Sequence, residues 1–283
     1  MRARWRPHGG FAMNVSFDLS SVDELQPLAK RVRLLTESGA EPLIIGAIAR
    51  DLVLRYVHGL PIRRLTVDLD VAVPMASWND FAMLRDRLAG RGAIPDPRTP
   101  HRVWFNEWQI DIVPFGGVAV NGVISWPPDD EVEMTIFGLA EARRHALEVV
   151  LPSDTVAAVA SLPALLLMKV LTWSERHRKL DDRDARDIRA LLDGYAAEWN
   201  QDRLYEEADD LLAHFVFDIE LAAAALLGRD AAAIAEEATA RRIREILERE
   251  TSPDALRLAS DMGGRADDNL QLLRALRGGF QSV

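Results

Sequence analysis

The chain contains no cysteine, very little lysine and no long uninterrupted hydrophobic run. The absence of cysteine excludes disulfides, thiolate catalysis and cysteine-ligated zinc sites, and it fits the reducing cytoplasm where we expect the protein to work. The longest apolar run, residues 162–171, is too short to span a membrane, so we expect no membrane partner. The lysines are Lys30, Lys169 and Lys179, and every other basic residue is arginine. Lys169 is therefore conspicuous, because it interrupts the longest apolar run.

The balance of charge limits the partners that the chain can bind. Its 283 residues include 34 basic and 44 acidic side chains, which give a net charge of −10. Binding to nucleic acid is largely electrostatic, so this charge argues against a dedicated nucleic-acid-binding protein, although a local basic face is compatible with it. No pair of histidines has the helical spacing of metal ligands, and we predict no zinc site.

The most informative segment is residues 66–73, in which two kinds of side chain alternate strictly. This period of two predicts a strand with Asp68 and Asp70 on one face and valine and leucine on the other. Aspartate is disfavoured in strands, and two like charges on one face repel each other. A divalent cation removes that cost, since paired carboxylates bind Mg²⁺ and leave positions for substrate phosphates. The alternative, that both are solubility residues of an edge strand, fits the flanking valines less well.

Two further segments belong to the same pattern. Residues 41–52 predict a buried strand, a glycine turn at Gly46 and a helix start, where backbone N–H groups can approach a phosphate. Residues 108–115 form a second alternating run, with Asp111 on its polar face. Acidic residues on two neighbouring strands beside a glycine turn are typical of metal-dependent phosphoryl or nucleotidyl transfer.

In these residues the chain resembles the DNA polymerase β-type nucleotidyltransferases. Their pattern is a small-residue turn, an acidic-x-acidic strand and a third acidic strand, and Gly46, Asp68, Asp70 and Asp111 follow this order. The resemblance implies that the three aspartates are catalytic and hold Mg²⁺ or Mn²⁺, while Gly46 and Ala47 contact the phosphates of an NTP. The family usually has Gly-Gly or Gly-Ser in the turn, so Ala47 removes the phosphate contact of a serine.

A later segment makes the resemblance more specific. Lys169 lies on an apolar helix, Arg176 follows it, and Arg183, Asp184 and Asp187 form an Arg-Asp-x-x-Asp pattern. Together these residues resemble the AbiEii group of nucleotidyltransferases, which includes toxins of bacterial toxin–antitoxin and phage-defence pairs. The resemblance implies that Lys169 and Arg176 bind the nucleotide and that the other three support them.

Several basic side chains have more than one interpretation. Arg50, just behind the glycine turn, either reaches a phosphate, as we predict, or pairs with Asp51. Lys169 either neutralises triphosphate charge or extends its ammonium group to water along an apolar stem. His101 and Arg102 could contact RNA, but we interpret them as surface residues.

The implied reaction is transfer of NMP from an NTP to a hydroxyl, with release of pyrophosphate. The resemblance leaves a tRNA 3′ end, another RNA or a protein open as the acceptor, and it suggests a cognate antitoxin protein as a partner. One alternative is transfer to a small aminoglycoside-like molecule, which the acidic charge favours. Another is a catalytically inert nucleotide-binding or partner-binding module of the same fold, which Ala47 favours.

The predicted fold class is α+β. Residues 1–155 are expected to form a nucleotidyltransferase-type mixed β-sheet with flanking helices, in which residues 1–15 are a disordered or misannotated leader. Residues 156–283 are expected to form an all-helical domain. We further expect the nucleotide to lie between the two halves, with Lys169 within reach of the carboxylates.

Local patterns predict a few elements in more detail. Residues 103–105 and 109–115, joined by Asn106 and Glu107, predict a β-hairpin. Residues 18–38 predict an amphipathic helix. The turn-rich segment that contains Trp126 is expected to be exposed.

Overall fold

The computed structural model describes residues 16–61, 68–127, 132–176, 181–253 and 255–282. Its strands are β1 (Ser16–Asp18), β2 (Leu43–Ile44), β3 (Leu69–Met75), β4 (Ala93–Pro95), β5 (Arg102–Phe105), β6 (Trp108–Gly116), β7 (Val123–Ser125), β8 (Glu133–Thr135), β9 (Leu147–Leu151) and β10 (Thr155–Val159). The expected leader lies outside the described residues.

The helices of the described residues begin and end as follows. They are α1 (Gln26–Glu37), α2 (Gly46–Asp51), α3 (Trp78–Gly90), α4 (Leu139–Arg144), α5 (Leu162–Arg176), α6 (Arg183–Tyr195), α7 (Glu198–Glu206), α8 (Asp209–His214), α9 (Ile219–Ile234), α10 (Glu237–Glu250), α11 (Arg257–Asp261) and α12 (Ala266–Gln281). A short 3₁₀ turn at Asp23–Leu25 precedes α1, and a π-helical segment at Leu52–Val57 continues α2.

The described strands form a large mixed sheet in the order β1-β9-β10-β2-β3-β6-β5-β4, together with a separate pair, β7 and β8. At the centre of the large sheet, β3 and β6 are parallel. A parallel pair requires a crossover connection, and α3 is part of the chain that makes it. β2 is antiparallel to β3, and β5 is antiparallel to β6. The two strands with the predicted site carboxylates are therefore direct neighbours.

The chain divides into two compact units, Met1–Ser161 and Leu162–Val283. The first contains the sheets and α1 to α4, and the described elements of the second are all helical. The predicted α+β class is confirmed. The predicted boundary between residues 155 and 156 falls inside β10, because Thr155–Val159 still pairs with β9 and β2.

The core of the first unit lies on one face of the central strands. Leu69, Val71, Ile110, Ile112 and Val103 are at most 1% exposed, and they alternate with polar residues along β3, β6 and β5. Alternation along a strand places such apolar side chains on the same face. The opposite face carries Asp70, Asp111 and Arg102, although Ala72 and Phe115 on that face are also buried.

Two local predictions need correction. Trp126 is only 4% exposed, because its ring packs against Trp78, Phe81 and His101. The turn-forming residues around Trp126 predict only the course of the backbone, and they do not indicate that the apolar ring is buried. The helix expected from residue 18 begins only at Gln26, since residues 16–18 form β1.

The second unit contains a buried polar cluster among apolar helices. The Tyr195 hydroxyl donates a hydrogen bond to Asp230. Arg203 donates Nη1–H to Asp230 Oδ2 at 2.8 Å and Nη2–H to Oδ1 at 3.2 Å. Burial and the Asp230 charge raise the pKa of Tyr195, so it stays a donor. Gly228 faces the backbone oxygen of Leu276, so α9 and α12 meet at backbone distance.

None of the helices in the described part of the chain combines the length and the apolar character that a membrane crossing requires.

Candidate functional site

The carboxylates of the predicted site come together through strand register. Asp70 in β3 and Asp111 in β6 are Cα partners in the parallel pair, and Asp68 lies just before β3. Neighbouring strands are about 4.8 Å apart, and partners in register project from the same face. Asp68 is exposed, whereas Asp70 and Asp111 are half-buried. The three predicted catalytic residues therefore lie in one region of the polar face of the sheet.

Gly46 is fitted against one of these carboxylates. Its φ is +67°, a left-handed conformation that favours glycine. A Cβ at this position would lie 2.5 Å from Asp70 Oδ2 and 3.2 Å from Asp70 Cβ. The N–H of Ile45 also donates to the backbone oxygen of Asp70 at 3.0 Å. The predicted turn and the predicted acidic strand thus meet at Asp70, with no room for a side chain between them.

Asp111 has two protein partners on the same face. Arg102 of β5 donates Nε–H to Asp111 Oδ1 at 2.8 Å and Nη2–H to Oδ2 at 2.9 Å, a bidentate pair. Gln109 Nε2 donates to Oδ2 at 3.1 Å. The hydrogen bond to Asp111 raises the pKa of Arg102. The orientation of the Asp111 carboxylate is therefore fixed by two neighbouring side chains.

A buried cation lies near Asp68. Arg31 of α1 is 4% exposed, and its guanidinium carbon is 5.0 Å from the ring centroid of Trp108. Burial lowers the pKa of Arg31 to about 10, and the negative charge of Asp68 partly opposes that effect. Arg31 therefore adds positive charge to the end of the sheet where Asp68 lies.

The other predicted nucleotide-binding residues of the first unit lie behind the glycine turn. Ala47 follows Gly46 in the first turn of α2. Arg50 Nε and Nη2 both donate to Asp51 Oδ1, at 2.9 and 2.7 Å. Asp51 is 5% exposed, so the pair is largely removed from water. The structure thus shows the pairing interpretation of Arg50.

Lys169 forms a cluster with two predicted supporting residues in the second unit. Its Nζ is 2.8 Å from Asp184 Oδ1 and 2.7 Å from Asp187 Oδ2. Burial tends to lower the pKa of Lys169, but the two carboxylates raise it more, and the net shift is upward. The carboxylates thus hold a charged lysine in place. The expectation that Lys169 reaches the aspartates of the first unit stays a prediction.

The two remaining predicted residues lie near the ends of the helices that carry this cluster. Arg183 donates Nε–H and Nη2–H to the Asp181 carboxylate at 2.9 and 2.6 Å. Its hydrogen bond, with a smaller contribution from the charge of Arg176, lowers the pKa of Asp181 to about 2. Arg176 is exposed at the end of α5.

Arg102 and Gln109 are the site residues that the sequence interpretation missed. The sequence does contain the information that places Arg102 beside Asp111, because the predicted hairpin has a two-residue turn. Counting back from that turn pairs Phe105 with Trp108 and Arg102 with Asp111, which is the observed register. Arg102 is thus adjacent to the third carboxylate and is not mere surface decoration.

The donor chemistry of this face fits Mg²⁺, which prefers carboxylate oxygens and is often held by one or two carboxylates plus substrate phosphates. At Gly46 the backbone of the glycine turn packs directly against Asp70, so the turn and this carboxylate lie side by side. Within the described ranges, however, no three acidic or histidine side chains converge on one point. Asp68 and Asp70 would therefore be the main protein ligands, while Asp111 is engaged by Arg102.

The chain is similar in sequence to a known protein family. The family model described as nucleotidyl transferase AbiEii toxin, type IV TA system, matches residues 46–262. No curated protein matches the chain. A solution structure of the antibiotic-resistance factor ANT(2″)-Ia is 14% identical, with 70% of this chain and 98% of that chain covered and a TM-score of 0.38. A crystal structure of ANT(2″)-Ia with adenylyl-2″-tobramycin is 15% identical, with coverages of 74% and 100% and a TM-score of 0.37.

With TM-scores below 0.5, neither structural similarity supports an inference about this chain. The family model is different, because its match spans most of both units, from the Gly46 turn through the carboxylate strands and the Lys169 cluster. The chain belongs to the AbiEii family and is a nucleotidyltransferase.

Proposed function

We propose that the protein is a Mg²⁺-dependent transferase that moves NMP from an NTP to a hydroxyl of a tRNA 3′ end or of a protein. The observation that carries this proposal is the register of Asp70 with Asp111 beside the side-chain-free position at Gly46. It provides two carboxylates on one face, one of them packed directly against the backbone of the glycine turn. Mn²⁺ has the same preference for oxygen ligands and could replace Mg²⁺.

Each part of the site has a role in the transfer. The acceptor oxygen forms a bond to the α-phosphorus, the bond from that phosphorus to the bridging oxygen of the β-phosphate breaks, and pyrophosphate leaves. The hydroxyl proton is lost to solvent. Mg²⁺, held by Asp68 and Asp70, would neutralise charge that develops on the phosphate oxygens. Asp111, oriented by Arg102, faces the acceptor hydroxyl.

The phosphates require cationic or N–H donors in addition to the metal. The family resemblance assigns phosphate contacts to Gly46 and Ala47, and to Lys169 and Arg176 of the second unit. We keep these roles as part of the proposal. Arg50 was predicted to reach a phosphate as well, but it donates two hydrogen bonds to Asp51.

The first experiment tests transfer and metal dependence together. The purified full chain is incubated with each α-³²P-labelled NTP, with and without Mg²⁺, in the presence of total RNA, cell protein or an aminoglycoside. We expect label on RNA or protein only when Mg²⁺ is present, and loss of at least about 100-fold in rate for Asp70→Asn, which corresponds to about 2.7 kcal/mol. Asp86→Asn is the matched control, because Asp86 is exposed on α3.

The outcomes separate the alternatives. Label on the aminoglycoside alone would establish a small-molecule transferase, to which the net charge of −10 gives some support. Binding of NTP without transfer to any acceptor would establish an inert module. Equal rates for Asp70→Asn and Asp86→Asn would reject the carboxylate assignment.

The biological setting follows from the family. We propose that the protein is the toxin of a type IV toxin–antitoxin pair and that a cognate antitoxin counteracts it. NTPs and the proposed acceptors are cytoplasmic molecules, so we place the protein in the cytoplasm. Growth arrest on expression of the wild-type chain, absent for Asp70→Asn, is the test of the toxin role.

A further inference from the structure

On the face of the sheet that carries Asp70 and Asp111, the side chains that follow towards β4 have no role in the proposed reaction. Trp104 in β5 is the register partner of Gln109 in β6, and Ile94 in β4 is the partner of Trp104. Partners in register project from the same face, so this row lies beside the row of Asp111 and Arg102. Diagonal neighbours on adjacent strands are about 7–8 Å apart, which is roughly the distance from Trp104 to Asp111.

Ile94 and Trp104 lie at the β4 edge of the sheet, and both are at least partly exposed. Ile94 is 66% exposed, and Trp104 is half-buried. The opposite face of the same hairpin is the core, where Val103 is 1% exposed. An exposed aliphatic side chain beside a partly exposed tryptophan, next to catalytic carboxylates, is a surface that a flat ligand can cover.

Trp104 is held in a fixed orientation. Its Nε1–H donates to Asp96 Oδ2 at 3.3 Å, and Asp96 Oδ1 accepts the N–H groups of Arg98 and Thr99 at 2.8 and 2.9 Å. The bond from Arg98, and then that from Trp104, lowers the pKa of Asp96. Among the described residues, no aromatic ring stacks on Trp104. The ring is thus anchored at its edge by the Asp96 loop.

Arg102 supplies charge between this surface and the carboxylates. Its pair with Asp111 uses two of the five N–H donors of a guanidinium, so further donors are present for an anion. Because the net charge of the chain is −10, an extended electrostatic groove is not the means of binding a nucleic acid. Stacking of a single base with one nearby arginine suits an acidic protein better.

The position of this surface relative to the glycine turn indicates its ligand. Gly46 lies beside β3, and Trp104 lies two strands away, beyond β6. The phosphates of the nucleotide would lie at Gly46, and the acceptor would lie on the other side of Asp111. The carboxylates would then stand between the two substrates. We propose that Ile94, Trp104 and Arg102 form an acceptor platform, which stacks the terminal base of a single-stranded RNA and holds its 3′ hydroxyl near Asp111.

This inference rests on the proposed transfer reaction, and it narrows the acceptor to a ligand with a planar ring. A serine or threonine of a protein has no ring to stack, and the rings of an aminoglycoside are saturated and not planar. The chemistry of the platform therefore favours a nucleoside end over both.

Binding of RNA is measured without catalysis, by fluorescence anisotropy of a 5′-labelled single-stranded RNA dodecamer with a free 3′ hydroxyl. Stacking of one base on an aromatic side chain is lost in Trp104→Ala, so we expect the Kd to rise about 5- to 150-fold. Trp104→Phe keeps a ring and is expected to stay within about 5-fold of the wild type. Circular dichroism and thermal unfolding establish that each variant is folded.

A matched pair of variants tests the platform without removing the tryptophan. Ile94→Ser is expected to weaken binding at least about 3-fold. Val156→Ser is the control, because Val156 is also an exposed strand aliphatic, 53% exposed, but lies in β10 at a different part of the sheet. Equal effects of the two serine variants, or wild-type affinity in folded Trp104→Ala, would overturn the platform. So would a wild-type chain that does not bind the RNA.

The transfer assay is run in parallel, so that the two proposals can fail separately. RNA labelling with a wild-type rate in Trp104→Ala would leave the transfer reaction intact and reject the platform. Trp104-dependent RNA binding without any transfer to RNA would support the platform and reject the reaction.

Discussion

Replacing Gly46 by alanine tests the contact between the turn and the acidic strand. Two costs are expected. An alanine at φ +67° has an unfavourable left-handed conformation, which costs about 1–2 kcal/mol. The added Cβ would also lie 2.5 Å from Asp70 Oδ2 and 3.2 Å from Asp70 Cβ. The oxygen can rotate away, but the Cβ atom of Asp70 moves only with β3, so we expect about 1–2 kcal/mol more.

The chain offers a matched control at Gly59. Its φ is +72°, and no heavy atom lies within 4 Å of a Cβ built there. Gly59→Ala therefore has the same backbone cost without the collision. In urea unfolding, we expect Gly59→Ala to lose about 1–2 kcal/mol and Gly46→Ala to lose about 2–4 kcal/mol. Nucleotidyl transfer should fall at least about 100-fold for Gly46→Ala, since the Asp70 carboxylate is displaced, and should stay near wild type for Gly59→Ala.

A double-mutant cycle locates the collision. Asp70→Gly removes the atoms that the new Cβ would meet, so the extra stability loss of Gly46→Ala should disappear in the Asp70→Gly background. A coupling energy near zero, or equal losses of stability and activity for the Gly46 and Gly59 variants, would refute the reasoning.

Three other predictions follow from the described contacts. Lys169→Met leaves two partly buried carboxylates facing each other, so it should lower the free energy of unfolding by about 3 kcal/mol in a urea titration. Arg183→Met is the control: it removes an ion pair whose arginine is 75% exposed, and it should cost at most about 1 kcal/mol. Burial lowers the pKa of His58 from 6.5 to about 4, so its stabilising contribution is full above pH 6.5, and about 3 kcal/mol is lost as the pH falls from 6.5 to about 4. His58→Leu should remove this pH dependence of the free energy of unfolding, and an unchanged profile would contradict the assignment. Arg102→Leu leaves Asp111 with a single side-chain donor and should reduce kcat about 10- to 100-fold. Arg102→Lys should recover only part of the lost kcat, because lysine cannot form the bidentate pair. Full recovery of kcat in Arg102→Lys would reject the orienting role of Arg102.

The first unit shows what sequence patterns can and cannot predict. The alternating runs placed the core face of β3 and β6 correctly, because side-chain direction in a strand depends only on position. The two-residue turn also fixed the hairpin register, so the Arg102–Asp111 pair was available from the sequence. The parallel pairing of β3 with β6 was not, because a crossover connection leaves the register undetermined and only packing of the sheet selects it.

Contacts between distant segments were the other part that remained hidden. Nothing near Arg31 in the sequence indicates that it lies over Trp108, and the buried ring of Trp126 lies in a segment with strong turn signals. In the second unit, the spacing of Asp184 and Asp187 predicted that they occupy adjacent turns, and their proximity to the preceding helix supplied the Lys169 pair.

The buried cluster of Tyr195, Arg203 and Asp230 determines the rotation of α9 about its own axis. Residues 222–228 of this helix are buried on every side, so apolar burial alone provides little preference for one rotational setting over another. Asp230 provides that preference, because a buried carboxylate must reach its two donors. Gly228 provides a second, because its missing side chain lets the backbone of α12 approach at this position. An alanine-rich helix thus obtains a single orientation from two residues that contribute little to its hydrophobicity.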